Sequence, residues 1–222
     1  MIQHLSAYFR RHCVVCQDIA DEQWLCRSCA AQLRPIGLHC PTCASAVADP
    51  TIPCGRCLAH PPPFDQLFIG YRYQEPVRSV LLAAKYGFQR AALAQYAEWA
   101  KALSWSIEAL DYVVPMPIAK RRLVQRGFNQ THYLGSAIAK AHGVPLLKQA
   151  LIKASRPPQS TLDSDSARRR NIAGAFRARQ KLSGRVLLVD DVLTSGATAS
   201  AAARALREGG ADWIGVLVVA AR

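Results

Sequence analysis

Val186-Leu-Leu-Val-Asp-Asp-Val-Leu-Thr-Ser-Gly-Ala-Thr198 is the stretch that decides the fold of this 222-residue chain. Its apolar run from Val186 to Val189 stops at two adjacent carboxylates, Asp190 and Asp191. The run predicts a buried parallel strand, and the alanine-rich segment from Ala199 to Leu206 predicts the helix that follows it. In open α/β sheets, ligands bind at the loop between the carboxyl end of a strand and the next helix. The stretch therefore predicts a ligand site as well as a fold.

The turn after the two acids has the chemistry of a phosphate site. Its residues Thr194, Ser195, Gly196, Ala197 and Thr198 offer hydroxyls, backbone N–H groups and the positive end of a helix dipole. Gly196 allows a ligand to approach the backbone closely. Because like charges repel, the two acids are expected to face sugar hydroxyls or a hydrated Mg²⁺ beside the phosphate.

Three other interpretations compete for this stretch. A Walker B strand also ends in two acids, but it requires a partner G-x-x-x-x-G-K-[ST] loop, and the chain has no Gly-Lys pair. A receiver domain opens in the same way, but it needs more strand–helix units than the remaining residues allow. An ordinary turn leaves the combination of acids, hydroxyls and glycine unexplained. The stretch resembles the PRPP (phosphoribosyl pyrophosphate) motif of type I phosphoribosyltransferases, whose acidic pair holds the ribose hydroxyls and whose loop holds the 5′-phosphate.

The net charge of +13 is concentrated in one part of the chain. Residues 113–185 contain fifteen Lys or Arg and two acids, whereas the rest of the chain is neutral. This distribution indicates a polyanionic partner: a nucleic acid, a pyrophosphate or both. No transmembrane run and no secretory signal is visible, so we expect a cytoplasmic protein without membrane insertion.

Eight cysteines form four C-x₂-C pairs within the first 57 residues: Cys13 with Cys16, Cys26 with Cys29, Cys40 with Cys43, and Cys54 with Cys57. Two such pairs provide the four thiolates of a tetrahedral zinc site, so the pattern predicts two structural Zn²⁺ ions. We expect the first pair to combine with the second and the third with the fourth, since these closures are the shortest, although a cross-braced arrangement stays open. A disulfide framework is disfavoured because no secretory signal accompanies the pairs.

Two domains are predicted, with a boundary at the stiff segment Pro61-Pro-Pro63. Residues 1–60 form a double zinc-finger module, and residues 61–222 form an α/β domain with a parallel sheet and helices on both faces. The predicted helices span 28–33, 77–85, 91–103 and 129–142, and further strands span 67–73, 112–117, 150–154 and 213–220. The segment from Ser155 to Ala167 is polar and is expected to be a mobile loop.

A second anion site is predicted where the strand beginning at Tyr112 ends. The loop there contains Met116 and Pro117 and continues into the basic residues Lys120, Arg121 and Arg122. These cations can neutralise a departing pyrophosphate as the glycosidic C–O bond breaks. The alternative is a solvated basic turn.

Motifs along nearly the whole chain resemble the ComF family of competence-associated, phosphoribosyltransferase-like proteins. They are the loop from Pro115 to Arg122, the segment Arg126-Gly-Phe-Asn-Gln130, the segment from Gln159 to Phe176, and the Asp-Asp stretch, and they occur in the family's order. The family also carries an amino-terminal cysteine zinc finger. The resemblance implies a type I phosphoribosyltransferase fold with that extension, and a role in natural transformation through handling of incoming single-stranded DNA.

The resemblance also implies roles for individual residues. It makes Ser155 to Arg170 a flexible loop that covers the site, and Asp190 and Asp191 the catalytic acids of an active enzyme. Basic contacts to PRPP or DNA are expected from the motif and loop residues Arg126, Gln159, Arg168, Arg169 and Arg170. PRPP with Mg²⁺, single-stranded DNA and a protein of the DNA-uptake machinery are the expected partners. Two functions stay open: a DNA-handling protein that binds PRPP, or a transferase that passes phosphoribosyl to an unknown acceptor.

Overall fold

A parallel sheet is the centre of the computed structural model, which describes residues 11–20, 23–86, 89–153 and 175–222. In chain order the strands are β1 (Arg11–His12), β2 (Ile19–Ala20), β3 (Gln66–Arg72), β4 (Tyr112–Pro115), β5 (Leu151–Lys153), β6 (Phe176–Ala178), β7 (Arg185–Leu193) and β8 (Trp213–Ala221). The helices are α1 (Arg27–Ala30), α2 (Gly55–Ala59), α3 (Val77–Tyr86), α4 (Arg90–Ser104), α5 (Lys120–Arg126), α6 (Gln130–His142) and α7 (Ala197–Glu208).

The central sheet has the strand order β3-β8-β7-β4, and each neighbouring pair is parallel. Strands β1 and β2 pair with each other in the cysteine-rich segment, and β5 pairs antiparallel with β6 beside α7. Because all four central strands point the same way, their carboxyl ends meet along one edge of the sheet. That edge carries the acidic pair and the loop after β4.

Both faces of the sheet are buried, as the apolar runs of β7 and β8 predict. Alternate residues of β7 divide between two cores: Leu187 faces α3, α4 and α6, whereas Leu188 faces α7. The alanines of α7, such as Ala202 and Ala203, are fully buried and let this helix approach the sheet closely. The predicted parallel sheet with helices on both faces is therefore confirmed.

Strand β7 is longer than the sequence predicted. The apolar run was expected to end at Val189, but the ladder with β8 continues through Asp190 and Val192 to Leu193. The expectation was wrong because a carboxylate at the end of a strand keeps its backbone hydrogen bonds when its side chain has a polar environment. Helix α7 begins directly after the turn, at Ala197, two residues earlier than predicted.

The cysteine-rich segment packs against the sheet and α4. Pro35 forms an antiparallel bridge with Tyr71 of β3, and the backbone N–H of Ile36 donates to the carbonyl of Gly70 at 3.1 Å. On the helical side, the N–H of Trp24 donates to Oε1 of the buried Gln95 in α4 at 3.0 Å. The boundary between residues 1–60 and 61–222 stays a prediction. None of the helices in the described part of the chain has the length and apolarity that a bilayer span requires.

Candidate functional site

The acidic pair lies in the carboxyl-terminal half of β7, near the edge of the sheet where its strands end. Successive side chains of a strand point to opposite faces, so Asp191 belongs to the face covered by α3, α4 and α6, and Asp190 to the face of α7. The two carboxylates are thus separated by the backbone, and each has its own surroundings. The Oδ1 atom of Asp190 also accepts a hydrogen bond from the N–H of Asp191 at 2.8 Å.

Asp191 is held by two side chains that the sequence analysis did not connect with it. Its Oδ2 atom lies 2.7 Å from Nζ of Lys85 at the end of α3 and accepts a hydrogen bond of 2.7 Å from Nε2 of Gln130 in α6. The Lys85 side chain is 18% exposed and that of Asp191 is 13% exposed, so the pair is largely screened from water but still reaches the surface. The phenol of Tyr96 donates to the backbone carbonyl of Asp191.

Arg126 extends this network inward. Its Nη1 atom donates to Oε1 of Gln130 at 3.4 Å, its Nη2 atom donates to the hydroxyl of Tyr86 at 2.8 Å, and its guanidinium lies 4.6 Å from the centre of the Tyr86 ring. Arg126 is only 8% exposed. In this structure Arg126 therefore contacts Gln130 and Tyr86, and its expected contact with PRPP or DNA stays a prediction.

The negative charge of Asp190 is stabilised less by its neighbours than that of Asp191. Burial raises its pKa, the neighbouring charge of Asp191 raises it further, and the N–H of Asp191 together with Lys85 and Lys153 lowers it only in part, which leaves a pKa of about 7. An acid with such a pKa accepts and releases a proton near neutrality, whereas an isolated carboxyl stays ionised there. The pair therefore combines a carboxylate fixed in an ion pair with one whose charge a ligand can change.

The predicted phosphate turn follows directly after β7. Gly196 has a φ of +72° and is the N-cap of α7, and no side chain caps that end of the helix. The N–H of Ala197 makes a long hydrogen bond of 3.5 Å to the Ser195 hydroxyl, while Thr194 and Thr198 are exposed. The first turn of α7 thus presents N–H groups to solvent, as an anion site requires.

The loop after β4 is fixed to the same edge of the sheet. The N–H of Met116 donates to the carbonyl of Val189 in β7 at 2.8 Å. The Met116 carbonyl accepts from Nδ2 of Asn129 at 3.0 Å and from the Thr131 hydroxyl at 2.7 Å, and both of these side chains are buried. The motif from Arg126 to Gln130 therefore joins the loop to the acidic pair: Asn129 holds the loop, and Gln130 holds Asp191.

The basic residues of this region lie on a helix instead of in the loop. Lys120, Arg121 and Arg122 form the first turn of α5, so the irregular segment ends at Ala119, earlier than expected. All three side chains are exposed. Arg122 lies close enough to Lys153 of β5 to lower its pKa, after the larger effect of burial. A cationic surface thus adjoins Asp190.

Four of the expected site residues lie outside the described residues: Gln159, Arg168, Arg169 and Arg170. The same holds for the expected flexible loop from Ser155 to Arg170. Within the described part, sequence reasoning missed Lys85, Tyr86, Tyr96 and Lys153. Nothing in the local sequence marks these four, since each reaches the site from another element.

The eight cysteines form two clusters of four in the described structure. Cys13, Cys16, Cys26 and Cys29 compose the first, and Cys40, Cys43, Cys54 and Cys57 compose the second, with the sulfurs of each cluster within 4.8 Å of one another. The sequential pairing is therefore confirmed, and the cross-braced arrangement is excluded. His39 and His60 belong to neither cluster.

In each cluster, one buried sulfur is stabilised as a thiolate by the turn around it. Burial raises the pKa of the Cys13 thiol, but backbone N–H groups of Cys16, Cys26 and Val15 outweigh it and bring the pKa to about 6. Cys40 has a pKa of about 6 for the same kind of reason. Each cluster therefore contains a thiolate at neutral pH and can hold a metal ion such as Zn²⁺.

Several known proteins are similar to this chain over most of its length. DNA utilization protein YhgH of Salmonella typhimurium is 32% identical over 215 residues, which cover 92% of this chain and 94% of that protein. Competence protein F of Haemophilus influenzae is 26% identical, with 94% and 96% covered, and competence protein ComFC of Bacillus subtilis is 27% identical, with 86% and 81% covered. The chain belongs to the ComF family. No family model matches the sequence.

Among solved structures, a glutamine PRPP amidotransferase from B. subtilis complexed with ADP and GMP overlaps 62% of this chain and 30% of its own, with 19% identity and a TM-score of 0.43. An adenine phosphoribosyltransferase from Leishmania tarentolae overlaps 61% of this chain and 74% of its own, with 16% identity and a TM-score of 0.36. This ComF chain has the predicted parallel sheet, and two cysteine clusters lie towards its amino end. The names of these sequence relatives refer to DNA utilization in one case and to competence in two.

Proposed function

We propose that this ComF protein binds PRPP or a related phosphosugar with Mg²⁺ and handles single-stranded DNA in the cytoplasm during natural competence. The main support for a phosphosugar site is that three elements lie together at one edge of the sheet. The acidic pair, the uncapped amino end of α7 at Gly196 and the loop at Met116 lie where an α/β fold binds its ligand.

Each element has one task in this proposal. The N–H groups and hydroxyls from Thr194 to Thr198 hold the 5′-phosphate, and Asp190 and Asp191 accept hydrogen bonds from the ribose hydroxyls. Lys120, Arg121 and Arg122 face the pyrophosphate, whose charge the Mg²⁺ that accompanies PRPP reduces. Lys85 and Gln130 hold the Asp191 carboxylate in place.

Zinc is the proposed occupant of both cysteine clusters, because four sulfurs at C-x₂-C spacing suit its tetrahedral coordination. We assign the two ions a structural task, since four protein ligands leave no open coordination position. DNA binding is supported by the excess of basic residues between positions 113 and 185 and by the names of the relatives.

Calorimetric titration with PRPP and Mg²⁺ tests the proposal. We expect wild type to bind and Asp191→Asn to weaken binding by about tenfold or more, because a charged hydrogen-bond acceptor and its ion pair are lost. Glu98→Gln, which neutralises an exposed acid of α4, is the matched control and should bind like wild type. Absence of PRPP binding by the wild-type protein would refute the phosphosugar site.

The same titration with a single-stranded oligonucleotide as competitor asks where DNA binds. Mutual exclusion would place DNA at the edge of the sheet, and independent binding would place it elsewhere. Release of pyrophosphate during the titration, with the phosphoribosyl group transferred to water or to the oligonucleotide, would favour the alternative function, an active transferase.

A further inference from the structure

A cleft of about 370 Å³ separates the second cysteine cluster from the phosphate turn. The cysteine-rich side contributes Arg56 and His60, and the turn and α7 contribute Ser195, Gly196 and Arg204. Phe64 and the three prolines before it supply apolar surface. The cleft thus shares two residues with the proposed 5′-phosphate site and continues beyond them.

Two arginines supply the positive charge of the cleft. None of the described residues that line it is Asp or Glu. Arg204 is exposed on α7, and the described residues offer it no carboxylate partner. Arg56 lines the cleft beside Cys43 of the second cluster. Two arginines, the Ser195 hydroxyl and a backbone turn suit an anion that also has an apolar part.

The position of the cleft decides what kind of anion fits it. Neither Asp190 nor Asp191 lines it, so it meets the turn on a side that the acids do not occupy. In PRPP the 5′-phosphate is a monoester, and nothing is attached beyond it. PRPP therefore has no group that could occupy a cleft on this side of the phosphate. A nucleic acid chain does, because it continues past the same phosphate as a diester.

We propose that this cleft binds the nucleotide on the 5′ side of the phosphate held by the turn, so that single-stranded nucleic acid crosses the turn as a phosphodiester. Arg56 and Arg204 contact the phosphate of that nucleotide, and the prolines and the His60 ring contact its sugar and base. The volume lies at the lower end of the range of about 300–1,000 Å³ that ligand pockets occupy, which is enough for a nucleoside-sized group. The proposal rests on the phosphosugar site proposed above, and it makes PRPP and nucleic acid competitors for the turn.

Two ligands that differ only in this extension test the proposal: thymidine 5′-monophosphate and the 5′-phosphorylated dinucleotide pTpT, called TpT below, whose linking phosphate is a diester. We expect Arg204→Ala and Arg56→Ala each to weaken TpT binding by about threefold to tenfold and to leave the monophosphate and PRPP with Mg²⁺ within twofold of wild type. With a labelled single-stranded oligonucleotide, each variant should reduce the slope of log K against log salt by about 0.7.

Arg78→Ala on α3 is the matched control, since its guanidinium is also exposed and only pairs with Glu75. Arg78→Ala should change the binding of neither ligand. Metal content of Arg56→Ala checks that the second cluster is intact, and Arg204→Glu, on an exposed helix position, should weaken TpT more than Arg204→Ala does.

Unchanged TpT binding in both cleft variants, or an equal loss for TpT and the monophosphate, would overturn the cleft proposal while PRPP binding by wild type upheld the phosphosugar site. Selective loss of TpT in a protein that does not bind PRPP would support the cleft as a nucleic acid site and refute the phosphosugar.

Discussion

The second cysteine cluster and the central sheet stabilise the same chain by different means. Around the cluster, the large apolar residues Leu38, Ile52 and Leu58 are 61%, 57% and 65% exposed, so little apolar surface is buried there. In the sheet, Leu187 and Leu217 are fully buried among helices on both faces. The comparison teaches that the sheet is stabilised by its apolar core, whereas the second cluster would need the proposed metal for its stability.

The first cluster lies between these extremes. Cys13, Val14 and Leu25 belong to the same buried group as residues of α3, α4 and the sheet. Loss of the two clusters should therefore have different consequences, although their cysteine spacing is nearly the same.

Loss of a metal ligand has the largest expected effect. Structural zinc sites contribute on the order of 10 kcal/mol of apparent binding free energy, more than a small module supplies by itself. Cys40→Ser should halve the zinc content and open residues 38–60 to proteases, with the sheet still folded. Cys13→Ser should also lower the melting temperature of the sheet. Metal analysis, limited proteolysis and calorimetry measure these effects, and equal thermal destabilisation by both variants would contradict the distinction.

Truncation of a buried side chain in the sheet should have the second-largest effect. Leu187→Ala should lower the free energy of unfolding by about 2–5 kcal/mol, because it removes apolar contacts and leaves a cavity in the central strand β7. Leu38→Ala is the control in the cysteine-rich segment and should change it by less than about 0.5 kcal/mol. Urea unfolding measures both. If the two costs were similar, the contrast between metal and apolar core would be wrong.

The acidic pair should make the sheet less stable at high pH. The pKa of Asp190 is about 7 in the folded protein, against about 4 in an unfolded chain. As the pH rises between these values, the unfolded state loses its proton first, so stability falls from about pH 4 to about pH 7 and is then constant. Asp190→Asn removes this loss.

The stability difference between Asp190→Asn and wild type should therefore grow from pH 4 to pH 7, to on the order of 1–2 kcal/mol once solvent and Lys153 are allowed for. Melting temperatures of the two proteins across this range provide the measurement, and their difference cancels the titration of the cysteines. A stability difference that stayed constant from pH 4 to pH 7 would contradict the raised pKa of Asp190, because the side chain would then be ionised across this range.

The smallest effect is expected at the residue that follows the first C-x₂-C pair of each cluster. Gln17 and Ala44 have φ values of +65° and +63°, a conformation that glycine adopts more easily. Ala44→Gly should leave the second cluster intact. It should change the free energy of local unfolding there, as reported by proteolysis, by less than about 1 kcal/mol. Ala202→Gly, at a buried helical position of α7, is the contrasting change and should destabilise the sheet. Clear weakening of the second cluster by Ala44→Gly would contradict the backbone argument.

Much of this protein follows from local sequence. The C-x₂-C spacing predicted both clusters, because the two thiolates of a pair and the turn between them are local. Joining each pair to the next one along the chain, which needs the shortest loops, gave the observed clusters. The apolar run, the acids and the small-residue turn specified strand, edge and helix start, since each depends on a few neighbouring residues. The exact end of β7 did not follow, because the ladder with β8 carries it through the acids.

Only the tertiary structure decided the partners of the acids. Gln130 and Tyr96 reach Asp191 across 61 and 95 residues of sequence, and Lys85 reaches it from α3. Arg126 looked like a surface cation and is buried, because α3 supplies Tyr86 against it. The cleft between Arg56 and Arg204 likewise exists only because the cysteine-rich segment packs beside α7. Periodicity and spacing encode what a residue does among its neighbours in the chain, whereas charge pairing and burial depend on which distant elements the fold brings together.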